Sequence, residues 1–181
     1  MMSLILGGSG SGKSAYAEDY MVSFSRDKKK YYIAAMRVYD AEGEKKIERH
    51  RRLRKDKGFF TIEQPVDIGK ATEEMEGRER TALLECISTL TANEMFAGEI
   101  PETEEAVEEK ILKEIERLNR ELTHLVVVSD NVFEDGKVYD KTTTAYIRAM
   151  GRINTKLAEM ADRVVEVVVG IPLMVKPENV Q

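Results

Sequence analysis

Residues 3–14 read SLILGGSGSGKS, a short apolar run that breaks into a glycine-rich turn and ends on Lys13-Ser14. Gly7, Gly12, Lys13 and Ser14 fit the spacing G-x-x-x-x-G-K-[ST], with a strand pattern before it and a helical pattern after it, which is the context that gives this spacing meaning. Glycines allow successive backbone N–H groups to turn toward one centre, and the positive end of the following helix adds to the pull on an anion. The whole loop, Gly7, Gly8, Ser9, Gly10, Ser11, Gly12, Lys13 and Ser14, is therefore a candidate nucleotide-binding set. Lys13 is expected to reach the β- and γ-phosphates, and the Ser14 hydroxyl to ligate Mg²⁺.

Outward from this loop, short apolar runs alternate with helical patterns. Residues 4–6, 31–35, 82–85, 125–129 and 164–169 are apolar on both faces, as strands covered from two sides should be. From residue 13 to about 25, Tyr16, Tyr20, Met21 and Phe24 recur at helical spacing. Pro101 and Thr103 open a long amphipathic helix carrying Val107, Ile111, Ile115, Leu118 and Leu122 on one stripe. Another helix starts near Thr143 and buries Tyr146, Met150, Ile153, Leu157 and Ala161. The alternation predicts an α/β fold of the P-loop NTPase kind: a mostly parallel sheet with helices on both faces, in one domain spanning residues 1–181.

Composition narrows the function. Apolar residues at 42 % and charged residues at 34 % describe a globular chain and not a disordered one. A net charge of −5 gives no support to nonspecific nucleic-acid binding. No apolar stretch reaches the ~18 residues of a spanning helix, and no secretory signal is visible, so a cytoplasmic protein is expected. The lone Cys86 excludes an intramolecular disulfide and suits a reducing compartment.

Mg²⁺ at a phosphate loop calls for a carboxylate at the end of a nearby strand, where ligands gather in open parallel sheets. Glu85 and Asp130 both end apolar runs. Glu85 is the stronger candidate for the metal, with Ser14, because an unpaired carboxylate among apolar neighbours would be costly. A second feature is the window from Lys45 to Lys57, where eight Lys or Arg residues stand against Glu48 and Asp56. His50 lies at its centre, with Ile47 and Leu53 three residues to either side. A neutral imidazole, with its ordinary pKa of ~6.5, can attack phosphorus and carry a nucleotidyl group. Arg49, Arg51, Arg52 and Arg54 would neutralise phosphate charge; a solvated cationic helix has the same spacing. His124 reads as a strand-boundary residue.

On these residues the sequence resembles the adenosylcobinamide kinase/adenosylcobinamide-phosphate guanylyltransferase family of cobalamin biosynthesis. The resemblance runs through GGSGSGKSAYAE at residues 7–18, Tyr32-Ile33-Ala34, Ile47-x-x-His50-Arg51, Thr61-Ile62-Glu63-Gln64-Pro65, LLECISTL at 83–90 with Asn93, Gly151-Arg152-Ile153-Asn154, Ala161-Asp162-Arg163-Val164 and VVVGIP at 167–172. It implies a RecA-like P-loop sheet in a homotrimer, with nucleoside triphosphate (ATP or GTP) and a corrinoid as substrates. One nucleotide site would serve phosphorylation of adenosylcobinamide and then transfer of GMP through a guanylylated His50. It also implies that Ala34, Glu63 and Glu85 contact nucleotide. The chain departs from the family's usual pattern at Gly10, where Arg is common, at Arg49-His50, where histidines are often paired, and at Asp130-Asn131-Val132, in place of Asn-Glu-Val. A kinase-only or non-catalytic nucleotide-binding relative is the alternative reading.

Overall fold

The computed structural model describes residues 1–25, 28–37, 54–77, 79–132 and 136–178. Its centre is a seven-stranded sheet of β1 (Met2–Gly7), β2 (Lys30–Ala34), β3 (Phe59–Glu63), β4 (Thr81–Glu85), β5 (His124–Asp130), β6 (Arg163–Val168) and β7 (Ile171–Lys176), in the spatial order β3-β2-β4-β5-β1-β6-β7. The first six strands run parallel, and β7 returns antiparallel along β6. The described α-helices are α1 (Lys13–Phe24), α2 (Ile87–Met95), α3 (Glu104–Glu121) and α4 (Lys141–Met160).

Because side chains alternate across a strand, each central strand feeds two cores. Leu4, Ile33, Leu84 and Val127 join Ile87 and Leu90 of α2, Ile111 and Ile115 of α3, and Met150 and Ile153 of α4. Ile5, Leu83, Val126, Val128 and Val165 face the other way, onto Ala17 and Met21 of α1. This is the doubly covered, mostly parallel sheet expected for a P-loop NTPase.

Helix starts follow local chemistry. The Thr103 hydroxyl accepts from Ala106 N (3.2 Å), and Glu104 and Glu105 complement the positive helix end. Asp140 accepts from the N–H groups of Thr142 (2.8 Å) and Thr143 (2.9 Å), so α4 begins at Lys141, two residues before the start read from its apolar stripe. At its far end Lys176 of β7 donates to the carbonyls of Ala161 (2.6 Å), Glu159 (3.1 Å) and Ala158 (3.2 Å).

All five expected strands are present, with ends shifted by a residue or two. Among the described elements, β3, β7, α2 and a 3₁₀ helix at Ile68–Glu74 were not foreseen. In β3 only Ile62 is buried, and β7 is exposed along nearly its whole length, so neither edge strand carries the apolar run that marks a covered one. Helix α2 follows β4 after a single residue, which merges strand and helix into one apolar stretch. The basic window reaches the described residues only at its end, where Lys55–Lys57 form a 3₁₀ turn; residues 38–53 lie outside them. Among the described residues no helix is long and apolar enough to cross a membrane.

Ile115 is fully buried on the face of α3 that covers the sheet. Ile115→Ala should lower the unfolding free energy by about 2–5 kcal/mol in a denaturant titration, through lost burial and the cavity left behind.

Candidate active site

The carboxyl ends of the parallel strands meet at one edge of the sheet. Ala34 at the end of β2 is in register with Glu63 of β3 on one side and Glu85 of β4 on the other. Asp130 at the end of β5 is level with Gly7, where β1 enters the loop. Gly10 (φ 73°) and Gly12 (φ 91°) take left-handed conformations that side chains disfavour. At Gly7 the constraint is space, since a Cβ would stand 2.7 Å from the Val167 carbonyl oxygen.

Each chemistry-bearing loop residue is held by a strand-end acid. Lys13, buried to 8 % exposure, pairs its Nζ with Asp130 Oδ1 at 2.5 Å and donates to the Gly8 carbonyl at 3.1 Å. The second Asp130 oxygen accepts from the Ser88 hydroxyl at the start of α2. Behind it, Asn154 of α4 donates to the Asp130 carbonyl (3.1 Å) and accepts from the Ser129 hydroxyl (2.6 Å). Ser14 donates to Glu85 Oε1, while the Tyr32 hydroxyl donates to Oε2 at 2.5 Å.

Burial, with the negative Glu85 second, pushes the Tyr32 phenol far above its usual range, so it remains a proton donor. The Arg54 guanidinium lies 3.5 Å from the centre of the Tyr32 ring, a stacked cation that is itself buried. Beside them sits buried Glu18, whose carboxyl is raised by desolvation and held down by Lys57, 2.9 Å away. Lys57 also reaches Asp19 at 2.7 Å. Burial, then the Asp130 charge, raises the Cys86 thiol; with its Sγ 3.0 Å from the Ser88 hydroxyl, it is not disposed to act as a nucleophile.

Ser14 and Glu85 present a hydroxyl and a carboxylate already in contact, the hard oxygen donors that suit Mg²⁺. Among the described residues no three His, Cys, Asp or Glu side chains gather as a metal cluster. Mg²⁺ binds proteins through one or two side chains plus phosphate and water, and this pair fits that mode.

The structure thus brings together the loop residues, Ala34 and Glu85. It adds Asp130 as the partner of Lys13, and places Arg54 over the ring of Tyr32. Glu63 is exposed at the same sheet edge. His50, Arg49, Arg51 and Arg52 lie outside the described residues. Sequence reasoning missed the roles of Tyr32, Glu18, Ser88 and Asn154. All four sit inside the motif segments quoted above, yet only the folded register shows what they touch.

A strand, a glycine-rich loop and a helix, with Lys and Ser facing strand-end carboxylates, define a P-loop nucleotide-binding protein. Within that class the chain belongs to the CobU family, cobinamide kinase / cobinamide phosphate guanyltransferase, whose model matches residues 3–175. It is 31 % identical to the bifunctional adenosylcobalamin biosynthesis protein CobU of Escherichia coli (strain K12), over 97 % of this chain and all of that one. The protein of the same name from Salmonella typhimurium is also 31 % identical, with the same coverage. The bifunctional adenosylcobalamin biosynthesis protein CobP of Pseudomonas aeruginosa is 26 % identical over 98 % of this chain and 99 % of that protein. The family resemblance read from the motifs is borne out.

Tyr32→Phe removes the hydroxyl that orients Glu85 and keeps the ring under Arg54. It should raise the Mg²⁺ concentration for half-maximal nucleotide turnover by about tenfold or more, as loss of an outer partner of a metal ligand does, with little change in melting temperature.

Proposed function

We propose that this chain phosphorylates adenosylcobinamide with ATP or GTP and then guanylylates the product, both at the loop of residues 7–14. The observation that carries this reading is the pairing of Lys13 with Asp130 and of Ser14 with Glu85 at one sheet edge, in a chain of this family.

In the first reaction the acceptor hydroxyl oxygen bonds to the γ-phosphorus, the bond to the β–γ bridging oxygen breaks, and the nucleoside diphosphate leaves while the hydroxyl gives up its proton. Lys13 moves from Asp130 to the β- and γ-phosphates, and backbone N–H groups of the loop hold the remaining oxygens. Bound Mg²⁺, held by Ser14 and Glu85, would neutralise charge on those phosphates. In the second reaction a ring nitrogen of His50 bonds to the α-phosphorus of GTP and pyrophosphate leaves. An oxygen of adenosylcobinamide phosphate then takes GMP from the imidazole. Arg51, Arg52 and Arg54 supply positive charge near the transferring phosphate, and Ala34 and Glu63 lie along the same edge as nucleotide contacts.

The chain is taken to be one cytoplasmic domain, with the free thiol of Cys86 in keeping with a reducing compartment. It is taken to work as a homotrimer. Support comes from β7, an edge strand whose exposed Ile171, Leu173, Met174 and Val175 offer an apolar surface for a second copy.

Lys13→Ala should lower both activities by about 10²–10³-fold or more, the scale on which a placed transition-state charge acts. Phosphorylation at the native rate in this variant would contradict a single shared cradle. His50→Ala should separate the reactions: covalent labelling from α-labelled GTP disappears, and phosphorylation of adenosylcobinamide persists. The native label should be acid-labile and base-stable, as a phosphoramidate is. Undiminished label on His50→Ala would place the nucleotidyl group on another residue, and a native protein that phosphorylates without ever labelling would be a kinase only.

A further inference from the structure

Strands β2 and β3 stop at the sheet edge, and the backbone beyond their last rungs still needs partners. Ala35 N donates to the Glu85 carbonyl (2.9 Å) and Gln64 N to the Ala34 carbonyl (3.0 Å). The next carbonyls out, those of Ala35 and Pro65, are met by a side chain instead. Asn93, buried in the last turn of α2, donates from Nδ2 to Ala35 O at 2.7 Å and to Pro65 O at 2.9 Å. A primary amide carries two N–H donors on one nitrogen, so a single Asn bridges two carbonyls; a hydroxyl has one such donor and a carboxylate none.

The neighbouring residue holds the same turn from a second point. Buried Glu94 accepts from Asp67 N with Oε1 (2.8 Å) and pairs Oε2 with Lys110 of α3 (2.7 Å). Asp67 itself is left-handed (φ 51°), a conformation that survives where its surroundings fix it. At the other end of α2, Ser88 donates to Asp130. One short helix therefore grips both the acid that partners Lys13 and the turns that leave β2 and β3.

Those turns begin at Ala34 and at the exposed Glu63, which stand in register. A carboxylate repels phosphate and accepts N–H or O–H groups, so Glu63 as a nucleotide contact meets the nucleoside and not the triphosphate. We propose that Asn93 is a positioning residue for nucleoside recognition. Its amide ties the ends of β2 and β3 together and so sets where Ala34 and Glu63 stand relative to the phosphate loop. It acts through these two backbones and not on the ligand itself. The inference rests on Ala34 and Glu63 being nucleotide contacts, as proposed above, and adds the residue that places them.

The test is calorimetric titration of the full chain, with Mg²⁺, using ATP, GTP and inorganic tripolyphosphate. Asn93→Ser is the principal variant, because it breaks the bridge while leaving room for water to meet both carbonyls, so the fold is kept. Asn93→Asp is the second, since it keeps the shape and loses both donors. Each variant should weaken ATP and GTP by about tenfold, the scale on which residues outside a ligand's reach alter its affinity, and leave tripolyphosphate affinity unchanged. In turnover the same variants should raise the KM for nucleotide and spare kcat. Unaltered ATP and GTP affinity in both variants overturns the proposal. So does a parallel loss of tripolyphosphate, or a lower kcat at native KM, either of which would make Asn93 a general prop for the fold. Glu63→Ala is the control for the contact itself: native affinity for both nucleotides in that variant would remove the premise, a failure separate from that of Asn93.

Discussion

Two strand-end carboxylates hold the phosphate loop in working order. Asp130 takes the charge of Lys13 and Glu85 takes the hydroxyl of Ser14, so the two loop side chains that do chemistry are anchored to the sheet. A nearly buried ammonium is costly without a partner, and losing one member of such a pair strands the other. The same pairing keeps the loop's donors assembled before any substrate arrives, and preorganised donors stabilise charge without rearranging during the reaction.

The sheet explains why those partners are where they are. All six parallel strands end at one edge, and β5 lies between β1 and β4, so Asp130 is level with Gly7 while Glu85 stands one strand farther away. Lys13 therefore finds its acid on the neighbouring strand, and Ser14 finds its acid one strand beyond. Tyr32, on the next strand again, closes the second oxygen of Glu85 and is pinned by the stacked Arg54. The edge becomes a graded row: apolar turn at β6–β7, cationic loop at β1, acids at β5 and β4, and the strand ends that lead toward residues 38–53. Two reactions on differently placed phosphorus atoms of a nucleotide need such an extended row more than they need a closed pocket.

Much of this was legible in the sequence because burial leaves a pattern. The central strands are covered on both sides and read as apolar runs, and the loop is readable because only glycines and a Lys-Ser pair satisfy its geometry. Glu85 could be chosen because a charge inside an apolar run must be compensated. The edge strands β3 and β7 were missed for the opposite reason: their residues face water, and no periodicity is imposed on them. Asp130 was named as a candidate acid, but its attachment to Lys13 depends on β5 lying against β1, a long-range register that local sequence does not record. Tyr32 was read only as part of the apolar strand at residues 31–35, and its hydroxyl acquires meaning only beside Glu85. The cationic window round His50 remains a sequence argument, since those residues lie outside the described ones.

The central claim is that the acids hold the loop's donors until nucleotide claims them. It is tested most directly by a crystal structure of the protein with a non-hydrolysable nucleoside triphosphate and Mg²⁺. The account predicts phosphates wrapped by residues 7–14, Lys13 Nζ withdrawn from Asp130 onto the β- and γ-phosphate oxygens, and the metal bound between Ser14 and Glu85. Triphosphate seated elsewhere, or Lys13 still paired with Asp130 in the filled site, would contradict it.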